Sequence, residues 1–251
     1  MRFLKIVHSF FSSLGFNLLK IKNIIYLPKY TLDLLFFIFR GGTVNAIWPI
    51  LGDHKNNSGS YDLQYFYQDL LVASYIFKAN PTKHLDIGSR IDGFVAHVAS
   101  YREIEVFDIR ANKFHLENIT FRQVDLTNMD NKYTNYVDSL SCLHTIEHFG
   151  LGRYGDNLDP KGHIKGFENL IKLLKPNGTL YISVPVASKT KTYFNSERVF
   201  HPKEIFNWSD KLRFVKFDLI NEKGEVFLNY DFTNFPINSH YSCGIYTFKK
   251  N

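Results

Sequence analysis

The chain has 251 residues, of which 45% are hydrophobic and 22% charged, so it is long enough for one large globular domain and too apolar for a disordered chain. Two cysteines, Cys142 and Cys243, are too few for a disulfide framework and favour buried thiols in a reducing cytosol. The net charge is +6, and the first 40 residues carry +5 of it, from six basic residues and one acid. The remainder is nearly neutral, so we expect no nucleic-acid partner.

The first 40 residues combine this charge with many Phe, Leu and Ile residues. The run from Phe3 to Phe16 is interrupted by Lys5 and lacks a small-residue cleavage site, which argues against a signal peptide. The run from Ile24 to Phe39 contains Lys29 and Asp33 and is too short for a transmembrane helix. Two interpretations remain: helices packed on the main domain, which we favour, or peripheral membrane contact through residues 1–40 of a cytoplasmic protein.

Residues 51–60 are typical of a loop, so we divide the chain into a helical appendage, residues 1–60, and an α/β domain, residues 61–251. A helix is predicted over Asp62–Lys78, and strands and helices then alternate. The predicted strands are His84–Gly88, Glu105–Ile109, Thr120–Val124, Tyr136–Cys142, Thr179–Val184, Phe214–Ile220 and Tyr241–Phe248. This alternation predicts a doubly wound, mostly parallel seven-stranded Rossmann-like sheet with helices on both faces. Its ligand should bind at the carboxyl ends of the strands.

A glycine turn follows the first predicted strand, with Gly88 and Gly93 separated by four residues. Such a turn lets the backbone approach a ligand closely. The spacing differs from the G-x-G-x-x-G fingerprint of dinucleotide-binding proteins. A phosphate-binding P-loop would need Lys and Ser or Thr after the second glycine, where Phe94 and Val95 stand. Both nucleotide-phosphate interpretations are therefore weakened.

Acids end the next two predicted strands. Asp108 stands 20 residues after Gly88, a spacing suited to accepting hydrogen bonds from ribose hydroxyls, although a solvated surface acid would look the same. Asp125 could accept a hydrogen bond from an exocyclic amine such as that of adenine, or it could cap a helix.

Residues 81–186 resemble the class I S-adenosylmethionine-dependent methyltransferases. The matching residues are Asp86 and Gly88 of the first motif, Asp108, Asp125, the pair Glu147-His148, and the turn Lys175 to Gly178. The resemblance implies S-adenosylmethionine as cofactor, with Gly93, Ile109, Leu126 and His144 also beside it. It departs from the family between Ser89 and Asp92, where smaller residues are common; there, Arg90 is expected to bind the methionine carboxylate.

A narrower resemblance involves Tyr67 to Leu70, Asp86 to Gly93, His148 to Asp156, and Phe194-Asn195. These stretches look like a bacterial methyltransferase-like family whose members are often encoded among surface-polysaccharide genes. The resemblance implies a small-molecule or glycan acceptor.

The segment after the fourth strand holds the candidate catalytic residues. Methyl transfer to oxygen needs a base for the acceptor proton, and His148 is the leading candidate, with Asp156 and His163 as rivals. Tyr154 and Phe149 could form an aromatic wall for the sulfonium. His148 could instead have a purely structural role.

Two further groups of residues are candidates for binding the acceptor and for holding a metal ion. The candidate substrate-binding residues are Arg153, Tyr154, Asn195 and Arg198. Asn195 and Arg198, together with Glu197 between them, could bind hydroxyls or a phosphate, or they could belong to a surface loop. His144, Glu147 and His148 spell the H-x-x-E-H pattern of inverted zinc proteases, but at a strand-to-helix junction rather than within a helix. These three could hold Mg²⁺ or Zn²⁺, although no metal is expected.

The sequence thus favours a methyltransferase that O-methylates a sugar or glycan-linked group, including a phosphoryl-type substituent. A non-catalytic binding module on the same scaffold is the alternative. A nucleotide-cofactor oxidoreductase is a weaker one, because the glycine spacing argues against it.

Overall fold

The computed structural model describes residues 22–55, 63–113 and 115–251. The chain divides into two compact units, residues 1–61 and residues 62–251. The described part of the first unit contains a 3₁₀ turn, Lys22–Tyr26, helix α1, Leu27–Phe39, and a second 3₁₀ turn, Asp53–Lys55. The run from Phe3 to Phe16 lies outside the described residues.

The second unit is built on an eight-stranded sheet. In chain order its strands are β1 (His84–Ile87), β2 (Ile104–Asp108), β3 (Ile119–Gln123), β4 (Val137–Leu143), β5 (Leu174–Val186), β8 (Leu212–Ile220), β9 (Val226–Phe227) and β10 (Ser242–Lys250). Strands β6 (Lys191–Tyr193) and β7 (Glu197–Val199) form a separate antiparallel hairpin. The sheet order is β3-β2-β1-β4-β5-β10-β8-β9. The first five strands pair in parallel, and β10, β8 and β9 pair antiparallel.

Helices cover both faces of this sheet. Helix α2, Leu63–Ala79, and the short helix α3, Ala96–Ala99, contribute Val72, Ile76 and Val98 to one core. Helix α4, Gly162–Leu173, contributes Phe167 and Leu170 to the other. A single π turn, Ile91–Val95, leads into α3. The expected Rossmann-like α/β class is confirmed.

Strand order explains where a ligand site can form. The chain runs outward from β1 through β2 to β3 and then returns to the opposite side of β1 as β4. The loops after β1 and β4 therefore diverge and leave a crevice at their carboxyl ends.

Two details differ from the sequence prediction. The sheet has an eighth strand, because the chain after β8 turns back through Asn221 and Gly224 to pair two residues, Val226 and Phe227, at the edge. The turn expected at residues 175–178 lies inside β5, where Asn177 has a φ of +62°. Pairing with β4 shifts register there, so these residues form a bulge within one strand.

Within the part of the chain that the structure describes, no helix is long and apolar enough to cross a membrane.

Candidate active site

Two adjoining cavities open at the carboxyl ends of the parallel strands. The narrow cavity has a volume of about 570 Å³ and the wide cavity about 1130 Å³. The walls of both include Gly88, Arg110, His144, His148 and Tyr154. Asp108, Ile109, Asp125, Leu126 and Asp156 line the narrow cavity, and Arg90, Gly93 and Arg153 line the wide one. Most of the predicted site residues therefore converge on one cleft.

The turn after β1 forms the floor shared by the two cavities. Gly88 has a φ of +70°, and a Cβ atom built on it would lie 2.5 Å from Cγ2 of Thr145. The fully buried Asp86 accepts hydrogen bonds from the backbone nitrogen of Ser89, the Ser89 hydroxyl and the Ser141 hydroxyl. Burial raises the pKa of Asp86 to about 6. Asp86 thus holds the turn from beneath, and it does not line either cavity.

Asp108 ends β2 at the wall of the narrow cavity, with 11% of its side chain exposed. Its Oδ1 accepts from the backbone nitrogen and Nε of Arg110, and its Oδ2 accepts from Nη2 at 2.6 Å. A carboxylate oxygen can accept more than one hydrogen bond, so Oδ2 keeps capacity for a ligand hydroxyl. The Arg110 guanidinium also lies 4.6 Å from the centre of the Tyr154 ring.

The far end of the narrow cavity is mostly apolar. Phe107, Ile109, Val124 and Leu126 line it together with Asp125. Asp125 caps the 3₁₀ turn that follows, because its Oδ1 accepts from the backbone nitrogen and the hydroxyl of Thr127. The capping role considered from the sequence is therefore present, and the same carboxylate borders the cavity. An apolar slot edged by one acceptor suits a flat heteroaromatic ring with an amino group.

His148 lies where the two cavities meet, with 9% of its side chain exposed. Its Nδ1 is 2.7 Å from the carbonyl oxygen of Ser196. A carbonyl oxygen can only accept, so Nδ1 carries the hydrogen and the neutral ring has its lone pair on Nε2. Tyr154 packs edge-on against the ring at 5.4 Å. The tautomer and orientation are those that a general base requires.

A fully buried carboxylate, Glu147, lies behind these histidines. Its Oε1 is 3.1 Å from Nδ1 of His144 and 3.9 Å from Nε2 of His148. Among the described residues, neither oxygen accepts a hydrogen bond of good geometry. Burial opposes protonation of His144, but Cys243 and Glu147 outweigh it and raise the pKa of His144 well above its usual value. Glu147 would also stabilise a positive charge on the His148 ring.

Several predicted residues have structural partners instead of a place in the cavity walls. His163 packs between Phe200 and Trp208, where burial lowers its pKa to about 4. Arg198, 4% exposed, donates to the carbonyl oxygens of Glu147, Phe149 and Pro160. Asn195 occupies the left-handed turn of the β6–β7 hairpin, with a φ of +62°.

Asp156, a rival for the base, borders the narrow cavity but is already engaged. Its carboxylate accepts from the backbone nitrogens of Gly150, Gly152 and Tyr154. It therefore shapes the loop that carries Tyr154. Arg153 donates to the carbonyl oxygen of Ser196, the same atom that holds His148. The exposed Arg90 pairs with Asp92 at the rim of the wide cavity.

The structure adds two site residues that the sequence analysis did not identify, Gln68 and Asp69 of α2, which line the wide cavity. Glu197, at the start of β7, was considered from the sequence and lines the same cavity. Gln68 donates to Asp69 Oδ1, and burial raises the pKa of Asp69. Asp69 Oδ2 lies 2.8 Å from the position of a Cβ built on Gly93, so a larger residue there would have to displace the Asp69 carboxylate. Two adjacent polar residues within an apolar helix were the available signal.

The metal option is not supported. His144, Glu147 and His148 lie close together, yet no group of three His, Cys, Asp or Glu side chains in the described ranges could hold a metal ion. His144 has a φ of +47° at the end of β4, and Nδ1 of His148 is already bonded to Ser196. The H-x-x-E-H pattern therefore lies on a turn instead of on one helix face.

Comparison with known proteins agrees on the fold. The chain is similar to the Burkholderia thailandensis 1,6-didemethyltoxoflavin-N1-methyltransferase crystallised with 1,6-didemethyltoxoflavin and S-adenosylhomocysteine: TM-score 0.52 and 15% identity, covering 82% of this chain and 93% of that one. It is also similar to a putative S-adenosylmethionine-dependent methyltransferase from Listeria monocytogenes: TM-score 0.51 and 7% identity, covering 76% and 100%. The [4+2]-cyclase SpnF matches equally well: TM-score 0.52 and 11% identity, covering 76% and 85%. At these identities the similarity shows a methyltransferase fold.

Sequence comparisons are less informative. A family model described as "Caenorhabditis protein of unknown function, DUF268" matches residues 96–208, less than half of the chain. None of the curated proteins matches. The narrower resemblance to a bacterial family encoded among surface-polysaccharide genes finds no support in these comparisons.

Proposed function

We propose that this protein is an S-adenosylmethionine-dependent methyltransferase. The single observation that carries the proposal is the joint position of Gly88 and Asp108 on one narrow cavity at the switch point of the sheet. A nucleoside-like cofactor requires a glycine that lets the backbone approach closely and an acid placed for the ribose hydroxyls, and this cavity offers both. The methyltransferase fold supports the same conclusion.

The residues present fit this cofactor from end to end. Asp125 and Leu126 border the apolar slot for adenine, and Asp108 is placed for the ribose hydroxyls. Arg90 and Asp69 lie on the wide cavity, where they would bind the carboxylate and ammonium of the methionine part. When bound, S-adenosylmethionine supplies an electrophilic methyl group.

His148 is the proposed general base. With Nδ1 donating to Ser196, its Nε2 can take the proton of an acceptor hydroxyl. The buried Glu147 carboxylate, 3.9 Å away, would stabilise the imidazolium that results. Tyr154 borders both cavities and would exclude water beside His148.

The proposed acceptor is a small, polar, hydroxyl-bearing molecule, such as a sugar or a glycan-linked group with a phosphoryl-type substituent. An acid and an arginine that the cofactor does not engage, Glu197 and Arg153, also line the wide cavity. Carboxylates bind sugar hydroxyls, and a guanidinium binds a phosphoryl oxygen. The charges of both signs suit such a molecule better than an apolar one.

Calorimetry with S-adenosylmethionine and S-adenosylhomocysteine tests the cofactor site. Asp108→Ala should weaken binding by about 1.5–3 kcal/mol, because it removes a charged acceptor. Glu168→Ala, an exposed change on α4, is the matched control and should leave the affinity unchanged. Unchanged affinity in folded Asp108→Ala protein would refute the assignment.

A methyl-transfer screen tests catalysis separately from binding. Labelled S-adenosylmethionine is offered with nucleotide sugars, phosphorylated sugars and glycans, and label transfer is measured. Tight cofactor binding without transfer to any acceptor would favour the non-catalytic module. That outcome is a real alternative, since the fold is shared with a [4+2]-cyclase as well as with methyltransferases.

A further inference from the structure

The described part of the first unit exposes an unusual amount of apolar surface. Gly52 is the single buried residue among residues 22–55. Large apolar side chains there are exposed throughout, including Phe39 at 88% and Trp48 at 80%. Such a surface on one short segment is typical of an interaction site.

The charges of helix α1 lie on one narrow stripe. At 3.6 residues per turn, Lys29, Asp33 and Arg40 fall within an arc of about 40°. Lys29 and Asp33 form an ion pair at 2.5 Å, and Arg40 lies over the Phe36 ring. Leu27, Leu32, Leu34, Leu35, Phe37, Ile38 and Phe39 occupy an apolar arc of about 220° on the remaining surface. The Thr31 hydroxyl within this arc donates to the Leu27 carbonyl oxygen.

The width of the apolar arc distinguishes between partners. A helix on the surface of a globular protein shows an apolar stripe of about 100° or more, whereas a helix with a much wider apolar surface is buried in a protein core or in lipid. No residue of α1 is buried in the protein. An arc twice as wide suits a fluid acyl phase, which wraps around the side chains without a fitted shape. The 13-residue helix is only about 20 Å long, too short for the roughly 30 Å hydrocarbon core.

Charge complementarity indicates which lipid. Residues 22–55 carry four basic residues, Lys22, Lys29, Arg40 and Lys55, and two acids, Asp33 and Asp53, and three more basic residues, Arg2, Lys5 and Lys20, precede them in the sequence. Anionic lipid headgroups attract such a segment, and long basic side chains reach the headgroups while their stems stay among apolar groups. Trp48, Tyr26 and Tyr30 are residue types enriched at the membrane–water interface.

We propose that residues 22–55 bind the surface of an anionic lipid bilayer. The stripe of Lys29, Asp33 and Arg40 faces the headgroups, and the apolar arc of α1 enters the upper acyl region. The proposal stands independently of methyl transfer, because the walls of the two cavities belong to residues 65–197.

Vesicle co-sedimentation of the full-length protein tests the proposal. We expect binding to vesicles of phosphatidylcholine mixed with phosphatidylglycerol, and weaker binding to phosphatidylcholine alone or in about 0.5 M NaCl. The double variant Leu35→Glu with Ile38→Glu, in the middle of the apolar arc, should lower the partition coefficient at least about tenfold. Ile237→Glu, a change at an exposed apolar residue of the second unit, is the matched control and should bind as the wild type does.

A second variant separates charge from burial and does not alter the apolar arc. Lys29→Glu with Arg40→Glu should reduce binding to anionic vesicles and leave binding to neutral vesicles unchanged. Equal binding of wild type and the Leu35→Glu, Ile38→Glu protein would overturn the proposal, as would absence of binding by the wild type. Light scattering that shows a wild-type dimer converted to a monomer by this double variant would assign the surface to a second copy and overturn it as well.

Discussion

Individual side chains in the cleft are held by partners that leave one functional atom available. His148 shows this arrangement most clearly, since Ser196 engages Nδ1 and Nε2 is left for a ligand. Asp156 and Arg198 instead use their polar atoms within the protein. The Asp156 carboxylate accepts hydrogen bonds from three backbone nitrogens, and the Arg198 guanidinium donates to three carbonyl oxygens. Residue type alone does not separate these cases, whereas hydrogen-bond partners do.

Replacing His148 should remove the base and preserve the cofactor site. With an acceptor found by the screen, His148→Ala should lower kcat by about 10²–10⁴ while S-adenosylhomocysteine affinity stays near that of the wild type. His240→Ala, at an exposed histidine outside both cavity walls, is the control for general effects of losing an imidazole. Near-normal turnover in a folded His148→Ala protein would exclude the base role and leave Asp156, which borders the narrow cavity, as the remaining candidate.

The turn between β1 and α3 is the element on which both cavities depend. Gly88 meets two separate restrictions there: a φ of +70°, which favours glycine, and the methyl group of Thr145 across the turn. A larger residue at position 88 therefore introduces both backbone strain and a steric overlap. The overlap can be relieved by changing Thr145, whereas the strain cannot.

A rescue experiment separates these two contributions. Gly88→Ala should destabilise the protein by about 2–3 kcal/mol and weaken cofactor binding, because the turn must move away from Thr145. Thr145→Ser removes the close methyl group and keeps the hydroxyl that donates to the Leu143 carbonyl oxygen, so the double variant should recover part of both losses. Gly155→Ala, with a φ of +86° and open space around its Cβ position, is the control with strain alone. Thermal unfolding measures the loss of stability, and calorimetry measures the loss of cofactor affinity. If the double variant is no more stable and binds no more tightly than Gly88→Ala, the steric overlap with Thr145 does not contribute.

Element order could be predicted from sequence because it depends on local patterns. Alternation of short apolar runs with amphipathic segments located the first four strands to within one residue, as for β2, predicted at Glu105–Ile109 and found at Ile104–Asp108. Residues 175–178 show the limit. Their turn chemistry is expressed locally, in the positive φ of Asn177, but pairing of β5 with β4 continues past it. Pairing across strands is a tertiary property that a local signal does not contain.

The site as a whole brings together residues that are distant in sequence. The acids at strand ends, such as Asp108 and Asp125, could be predicted because parallel strands end at one edge. Asp69 could not, because it comes from a helix that precedes the sheet. His163 was misplaced for the same reason: its helix presents it to Phe200 and Trp208.

The stability of the whole second unit should depend on two buried titratable groups at the centre of its sheet. Burial lowers the pKa of His84 to about 3, and its ring nitrogens contact the hydroxyls of Ser139 and Ser141. The folded protein keeps His84 neutral while the unfolded chain takes up a proton below about pH 6.5, so its contribution to stability is lost as pH falls below that value. Asp86 acts in the opposite direction, because its raised pKa of about 6 makes its contribution largest in acid and lost as pH rises through 6.

Because the contributions of His84 and Asp86 to stability change with pH in opposite directions, the test compares variants at each pH instead of following the wild type alone. Between pH 6.5 and about 5, the stability advantage of the wild type over His84→Gln should shrink by about 1.5–2 kcal/mol, since glutamine does not titrate and the Asp86 contribution cancels in the difference. Urea unfolding at several pH values measures this, with His240→Gln as the exposed control whose difference from the wild type should change little. A constant difference between wild type and His84→Gln across this range would mean that His84 is protonated in the folded protein, and the neutral hydrogen-bonded ring at the start of β1 would have to be abandoned.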